Sequence, residues 1–222
     1  MDTTIGAKER VTQNRLIGLF RRVLKYNYLG NWEKREGNSN VEEEYLSAYL
    51  ARRGYTDKEI RSAIAKLKQA AGSLGGGLYN ANKEVYTLLR YGVNVQAEVT
   101  EKKKMVHLID WANPMENDFQ IAEEVTIHGT SDRRPDLVVY VNGIALAVIE
   151  LKRSTVSAHE GIRQNIRNQQ DGYIPRFFTT IQLLFAGNDT EGLHYGVIKT
   201  LEKFWLRWKE PCGEPCAKPH FT

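Results

Sequence analysis

Apolar residues in the first ninety positions recur at the three- and four-residue spacing of amphipathic helices. Leu16, Ile17 and Phe20 begin the first such run, and Gly30 marks its predicted end because glycine commonly follows the last helical turn. Further runs of the same period follow. The pattern therefore predicts a helical N-terminal subdomain over residues 1–91.

Two of the helices carry start signals in the sequence. Asn40 stands three residues before Glu43, and Thr56 stands three residues before Glu59, which is the spacing of a capping box. The second and third helices are predicted to begin at these positions. A fourth, shorter helix is predicted over about residues 82–90, after a glycine-rich break.

The periodicity changes to strand-like alternation and short apolar runs after Gly92. The dipeptide Asn142-Gly143 separates two of these runs, and both of its residues tolerate the positive φ of a two-residue hairpin turn. A crossing helix is predicted over about residues 156–170. The predicted strands have the sequences VNVQAEV, KMVHLID, DFQIAEEVTI, DLVVYV, IALAVIEL, TIQLLFAG and LHYGVIK.

Helices followed by a sheet with one crossing helix indicate an α/β fold on the border of α+β. The mixed sheet is expected to form a core over residues 92–210, flanked by helices. Residues 211–222 contain three prolines and are predicted to be a disordered tail. Both cysteines, Cys212 and Cys216, lie in this tail, and a zinc site there is disfavoured because four ligands are not present.

The bulk charge is only mildly basic. The chain has 31 Lys and Arg against 27 Asp and Glu, a formal net charge of +4, so a nucleic-acid surface would require local clustering of the cations. The scarcity of cysteine predicts a reducing compartment, the cytoplasm. No secretory signal or membrane span is expected from the apolar pattern.

Three ionisable residues interrupt the apolar hairpin strands. Asp136 begins one strand, and Glu150 and Lys152 end its partner. Because successive side chains alternate faces, Glu150 and Lys152 project to the same side. A hairpin that turns at Asn142-Gly143 brings Asp136 opposite Ile149 or Glu150, so the two carboxylates are predicted to be neighbours.

Neighbouring carboxylates repel one another unless a cation neutralises them, and their hard oxygens suit Mg²⁺, with Mn²⁺ as a substitute. The pair therefore predicts a metal site on Asp136 and Glu150, with Lys152 beside the attacking water of a phosphodiester hydrolysis. The alternative is a salt-bridged strand end, in which Lys152 only neutralises a carboxylate.

These residues resemble the PD-(D/E)xK nuclease motif, here Pro135-Asp136 followed by Glu150-Leu151-Lys152. The wider run from VHLIDWANPMENDFQIAEEVTI to NQQDGYIPRFFTTIQLLFAGND is similar to the nuclease region of the restriction subunit (HsdR) of type I restriction-modification enzymes. The helices TQNRLIGLFRRVLKYNYLGNW, VEEEYLSAYLARRGY and NANKEVYTLLRYG resemble the opening of that subunit. The resemblance covers about residues 10–209 and implies a restriction-endonuclease-like fold.

The resemblance implies a type I site-specific deoxyribonuclease that cuts double-stranded DNA non-specifically, with modification and specificity subunits as partners. In that family an ATP-driven translocase belongs to the same full-length subunit. These 222 residues contain no G-x-x-x-x-G-K-[ST] loop, so ATP is expected only in the full-length subunit. Two alternatives stay open: a DNA-docking module inactive outside the complex, and a stand-alone repair or resolvase-type nuclease.

Further residues are candidates to support the site. Arg133 and Arg134 precede the motif, and Arg163 and Arg167 lie on the crossing helix, so all four are predicted DNA-phosphate contacts with solvated charges as the alternative. Gln164, on the same helix, is predicted to support catalysis.

The assignment of the helix glutamine has an alternative. Many relatives carry Q-x-x-x-Y here, whereas Gln164 has Asn168 four residues on and Gln169 has Tyr173, so either glutamine matches in part. A further carboxylate from the second helix, Glu43 or Glu44, is a possible metal ligand, with capping and solvation as the simpler explanation.

Overall fold

The computed structural model describes residues 4–96 and 103–209, and side chains from Arg10 onward. The predicted tail over 211–222, with its two cysteines, lies outside the described residues. The helices are α1 (Thr4–Arg22), α2 (Glu43–Arg52), α3 (Asp57–Gly72), α4 (Leu78–Tyr91) and α5 (Ala158–Asn168).

The described strands form a seven-stranded mixed sheet and a separate two-stranded hairpin. The strands are β1 (Asn27–Asn31), β2 (Val93–Val95), β3 (Lys104–Val106), β4 (Phe119–Glu123), β5 (Leu137–Val141), β6 (Ile144–Leu151), β7 (Leu183–Asn188), β8 (Gly192–Gly196) and β9 (Leu206–Arg207). The large sheet has the order β1-β4-β5-β6-β7-β8-β9, and β2 pairs with β3. The pairs β1·β4 and β6·β7 are parallel, whereas the other pairs are antiparallel. The expected α/β architecture, a mixed sheet flanked by helices, is confirmed.

Helices cover both faces of the large sheet because β5 and β6 are apolar on both sides. On one face, Ile17 of α1 packs with Leu137 and Ile149. On the other face, Ile162 of α5 packs with Val138 and Val148. The central strands are therefore buried on both faces. The ionisable residues at their ends, Asp136 and Glu150, contrast with this apolar surrounding.

The helical layer α2–α4 forms its own core with the β2·β3 hairpin. Thr56 accepts a hydrogen bond from Glu59 N, and the reciprocal bond to Glu59 is also formed, so the predicted capping box of α3 is confirmed. The predicted cap at Asn40 is wrong. Its side chain donates instead to Arg176 O and Thr179 Oγ1, both at 3.0 Å, and α2 begins later.

Two strands of the large sheet were not predicted. β1 follows α1 where the sequence predicted only the end of a helix, and it pairs with β4. β9 is only two residues long and extends the opposite edge beyond β8. Residues from the predicted helical subdomain thus contribute an edge strand to the sheet, because the pairing partner of a short segment is set by tertiary contacts.

The turn between β5 and β6 is the predicted two-residue hairpin. Asn142 and Gly143 have φ of 54° and 81°. The fully buried Asn142 side chain donates to Leu108 O at 2.9 Å and accepts from Asp118 N at 2.7 Å. The turn therefore joins the sheet to the chain that precedes it, and α2 packs directly against Gly143.

No helix in the described ranges 4–96 and 103–209 combines the length and the apolar character needed to cross a bilayer.

We predict that Gly143→Ala destabilises the fold far more than Gly54→Ala. Both glycines have φ near 80°, so both substitutions incur the left-handed conformational cost of about 1 to 2 kcal/mol. A Cβ at Gly143 would also lie 2.7 Å from Glu42 O and 2.8 Å from Leu46 N, whereas nothing lies within 4 Å at Gly54. We expect the free energy of unfolding to fall by about 3 kcal/mol or more for Gly143→Ala, measured by urea denaturation. Equal losses for the two variants would contradict the tight turn contact.

Candidate functional site

The β5–β6 hairpin brings the predicted carboxylates together at its open end. Leu137 pairs with Ile149 and Val138 with Val148. Continuing this register by one residue sets Asp136 beside Glu150. A register shift between Val139 and the next residue lies nearer the turn and leaves the open end in regular pairing.

The two carboxylates differ in environment. Asp136 is partly buried, and its Oδ2 accepts a hydrogen bond from Leu151 N at 2.6 Å. Glu150 is fully buried, with an exposure of 0%. Gln164 Nε2 donates to Glu150 Oε2 at 2.7 Å. Both carboxylates are thus held in fixed orientations by donors from the chain itself.

Lys152 follows directly after the end of β6. Its backbone N donates to Gly187 O at 2.9 Å, so the pairing with β7 continues through this residue. Because side chains alternate along an extended chain, Lys152 projects to the same face as Glu150. The side chain is partly buried. A cationic group therefore lies on the same face as the carboxylate pair.

The first turn of α5 lies close to the sheet, which allows Gln164 to contact Glu150. Hydrogen bonds hold that turn in place, and Gly161 has no side chain to keep the helix away from the strands. Glu191 Oε2 accepts from Ser157 Oγ and from Ala158 N, both at 3.1 Å, at the start of the helix. A Cβ at Gly161 would lie 3.1 Å from Ala186 Cβ and 3.6 Å from Glu150 Cβ. Glycine thus permits the close approach, and Gln164 follows one turn later.

The structure distinguishes the two candidate glutamines. Gln169 is buried, and its Nε2 donates to Asn165 O at 3.0 Å while its Oε1 accepts from Lys199 N at 2.8 Å. Its polar atoms therefore bind the backbone. Gln164 is the glutamine that contacts the Glu150 carboxylate.

Three of the four predicted DNA-contact arginines have partners within the chain. Arg134 pairs with Glu33 and, through Nε at 2.9 Å, with Glu124 Oε2. Arg133 stacks over the ring of Tyr173, with 4.2 Å between the guanidinium carbon and the ring centroid.

The two arginines of α5 differ from one another. Arg163 pairs with Glu160 at 2.7 Å and with Glu202 at 2.9 Å, and these hydrogen-bonded carboxylates, Glu202 first, raise its pKa. Arg167 is exposed on the same helix.

The alternative that Glu43 or Glu44 reaches the carboxylate pair is contradicted by where α2 lies. Glu42 N, at the start of that helix, donates to Gly143 O at 2.8 Å, which places α2 at the turn of the hairpin. Glu150 is six residues along β6 from Ile144, a distance of about 20 Å for an extended strand. Glu43 pairs instead with Lys68.

A buried ionic cluster on the other face of the sheet was missed by the sequence reasoning. Glu123, at the end of β4, accepts from Arg10 Nη2 at 3.0 Å, from Gln13 Nε2 at 2.8 Å and from Tyr28 Oη. Burial, with the Glu123 hydrogen bond next, raises the pKa of Tyr28 to about 12. The hydrogen bonds from Arg10 and Gln13 anchor α1 to β4. Glu124 N donates to Asp136 O at 2.8 Å, which joins the end of β4 to the start of β5.

The signal for this cluster was present in the sequence. Two consecutive acidic residues, Glu123 and Glu124, follow the apolar pair Ile121-Ala122 at the end of a strand. The partners of Glu123 come from residues about 95 to 113 positions away, so only the folded chain identifies them.

The part of the chain that the structure describes contains no cluster of three or more His, Cys, Asp or Glu side chains able to hold a metal. The acidic donors at the hairpin end are therefore the two carboxylates alone. Magnesium is commonly held in proteins by one or two carboxylates while it keeps several waters, so a two-carboxylate donor set fits this ion.

Comparison with known proteins identifies the family. The family model described as type I restriction enzyme R protein N terminus matches residues 6–203. The chain is 28% identical over 132 residues to the type I restriction enzyme MjaIXP endonuclease subunit of Methanocaldococcus jannaschii, covering 56% of the chain and 12% of that protein. It is 26% identical over 133 residues to the SsaAORF53P endonuclease subunit of Staphylococcus saprophyticus, covering 60% of the chain and 13% of that protein. The match thus spans little more than a tenth of these relatives, and the chain belongs to the family of type I restriction enzyme R protein N termini.

Proposed function

We propose that this chain carries the nuclease site of a type I restriction enzyme R subunit and hydrolyses phosphodiester bonds of double-stranded DNA without sequence preference. The single observation that carries the proposal is the fully buried Glu150 carboxylate, beside Asp136 in register and hydrogen-bonded to Gln164. Burying a carboxylate in a sheet is costly, and sites of reaction are where proteins accept such costs. The names of the endonuclease-subunit relatives support the same reaction class.

In this proposal Asp136 and Glu150 hold Mg²⁺, for which Mn²⁺ can substitute. Their oxygens are hard donors suited to either ion. The hydrogen bond from Leu151 N to Asp136 and the one from Gln164 to Glu150 orient the carboxylates before any ligand arrives. A bound divalent cation would supply Lewis-acid stabilisation of the phosphate and a water of lowered pKa.

The chain's own groups have distinct roles in the proposed reaction. Lys152 lies on the face of Glu150 and positions or deprotonates the attacking water, and its ammonium form also offsets negative charge on the phosphate. Gln164 keeps Glu150 in one rotamer and supplies a donor that favours the ionised carboxylate. Gln164 is thus a positioning residue in this scheme.

We assign all four arginines to DNA phosphates, but they differ in whether they must first release a partner within the chain. Arg167 is exposed and can contact a phosphate directly. Arg134 and Arg163 must exchange a carboxylate partner for a phosphate, whereas Arg133 is oriented by its stacking on a tyrosine ring.

The proposal extends to the assembly. We expect modification and specificity subunits as partners, ATP binding and translocation only in the full-length subunit, and the cytoplasm as the compartment. The matched segments cover only 12% and 13% of the two relatives, so we assign these properties to the longer protein.

We predict that Asp136→Ala and Lys152→Ala each lower the rate of DNA cleavage by at least about a hundredfold, because each removes a group that acts on the reacting phosphate or water. Cleavage of supercoiled plasmid in Mg²⁺ measures the rate, and circular dichroism verifies the fold. Glu43→Ala is the matched control, since Glu43 is an exposed carboxylate on α2 that pairs with Lys68 at the far end of the hairpin. Normal cutting by both variants would refute the site.

Plasmid cleavage, together with a gel-shift experiment, separates the alternatives. A docking module would bind plasmid in the gel-shift experiment and would not cut it at any Mg²⁺ concentration. A repair or resolvase-type nuclease would prefer branched DNA to the linear duplex of the same sequence. Equal cleavage of both substrates is expected for the proposed non-specific nuclease.

We predict opposite effects for the two helix glutamines. Gln164→Ala removes the donor to Glu150 and should weaken cleavage per folded molecule and Mn²⁺ affinity by about 10- to 100-fold. Gln169→Ala breaks two buried contacts to backbone atoms and should lower the free energy of unfolding by about 1 to 3 kcal/mol. Its cleavage rate per folded molecule should be unchanged. Mn²⁺ binding by calorimetry, with urea denaturation, measures both quantities, and the reverse pattern would make Gln169 the supporting residue.

A further inference from the structure

The last described segment, residues 197–209, combines exposed apolar and basic side chains at the β9 edge of the large sheet. It contains four cations and one acid, Glu202, which is already paired with Arg163. The exposed apolar residues of the segment are Val197, Leu201, Phe204, Leu206 and Trp208. The cations are Lys199, Lys203, Arg207 and Lys209. Interleaved aromatic and basic residues are typical of surfaces that bind nucleic-acid strands.

An open cavity of about 610 Å³ lies within this edge. It is lined by Tyr195, Leu206, Arg207, Trp208 and Lys209. Two aromatic and two cationic residues thus line one depression that is open to solvent. The edge strand β9 has no further partner strand among the described residues, so the cavity is open along the sheet edge.

Trp208 is held in place although it is half exposed. Its ring makes edge contacts with the rings of Phe185 and Tyr195, at centroid distances of 6.0 and 5.6 Å. Its backbone N donates to Leu193 O at 2.7 Å. A ring fixed in this way loses little conformational entropy when a planar ligand stacks on it. Trp208 is therefore a preorganised stacking surface.

The strand register gives the position of Arg207, which lines the cavity, relative to the proposed reaction centre. Glu150 pairs with Ala186, Ala186 with His194, and His194 with Arg207, so Arg207 lies in line with Glu150 across the sheet. Three strand spacings correspond to about 15 Å. Trp208, the next residue, packs on Phe185, which lies with Ile149 on the α1 face, so the ring lies towards the opposite face of the sheet from Glu150.

We propose that this edge, lined by Tyr195, Arg207, Trp208 and Lys209, binds single-stranded DNA, with an unpaired base stacked on Trp208 and phosphates on the two cations. The ligand class follows from the chemistry, because an exposed fixed ring recognises a base face that duplex stacking hides. The excess of cations favours a polyanion over an apolar partner. The inference rests on the proposed function only in taking DNA as the ligand.

The test measures binding separately from cleavage. Fluorescence anisotropy of a labelled mixed-sequence 20-nucleotide single strand, and of the matching duplex, is recorded in EDTA with the full 222-residue chain. We expect Trp208→Ala to weaken single-strand binding by about tenfold and duplex binding by less than twofold. Trp111→Ala is the matched control, because both tryptophans are 48% exposed and Trp111 lies against Arg90 of α4. It should change neither affinity by more than about twofold.

Two further variants keep the result interpretable if Trp208→Ala loses stability. Trp208→Phe retains a ring and should recover most of the single-strand affinity. Arg207→Gln leaves the ring in place and should lower the slope of log K against log salt by about 0.7, the change for one phosphate contact on a single strand. Unchanged affinity in Trp208→Ala, or equal loss for single strand and duplex, overturns the inference, as does an unchanged salt slope in Arg207→Gln.

The two proposals fail separately in this design. A wild-type chain that binds single strands in EDTA but never cuts DNA in Mg²⁺ would refute the proposed function and leave the edge site standing. A chain that cuts normally while Trp208→Ala binds single strands like wild type would refute only the edge site.

Discussion

The antiparallel pairing of β5 with β6 is the interaction on which the rest of this structure depends. Helices pack on both faces of these strands, α1 on one and α5 on the other, so a shift in register would disrupt both layers of packing. A slip of one residue would turn Glu150 towards the α1 face and separate it from Asp136. The turn at Asn142-Gly143, enclosed by α2, resists that slip from the other end.

Two buried carboxylates, Glu123 at the end of β4 and Glu150 near the end of β6, lie on opposite faces of the sheet. Glu123 faces α1 and accepts hydrogen bonds from Arg10, Gln13 and Tyr28, so it serves to attach that helix. Glu150 faces α5 and accepts a hydrogen bond from Gln164, so that contact joins α5 to the carboxylate pair.

The sheet also links the proposed reaction centre to its β9 edge. Paired residues run in line from Glu150 through Ala186 and His194 to Arg207. Hydrogen-bonded strands are stiff along this direction, so the distance between the carboxylate pair and the aromatic edge is set by the backbone. Arg207 shares the face of Glu150, whereas the neighbouring Trp208 packs on Phe185 towards the opposite face.

The sequence by itself determined the hairpin, the alternation that sets Glu150 and Lys152 on one side, and the capping box of α3. These features depend on residues close in the chain, whose geometry follows from local turn chemistry and strand period. Tertiary structure decided between the predicted Gln164 and its alternative Gln169, since Gln164 lies on the face of α5 that packs on the sheet whereas Gln169 follows the end of that helix. It also decided that β1 joins the sheet, because pairing between distant segments depends on packing that no local pattern encodes.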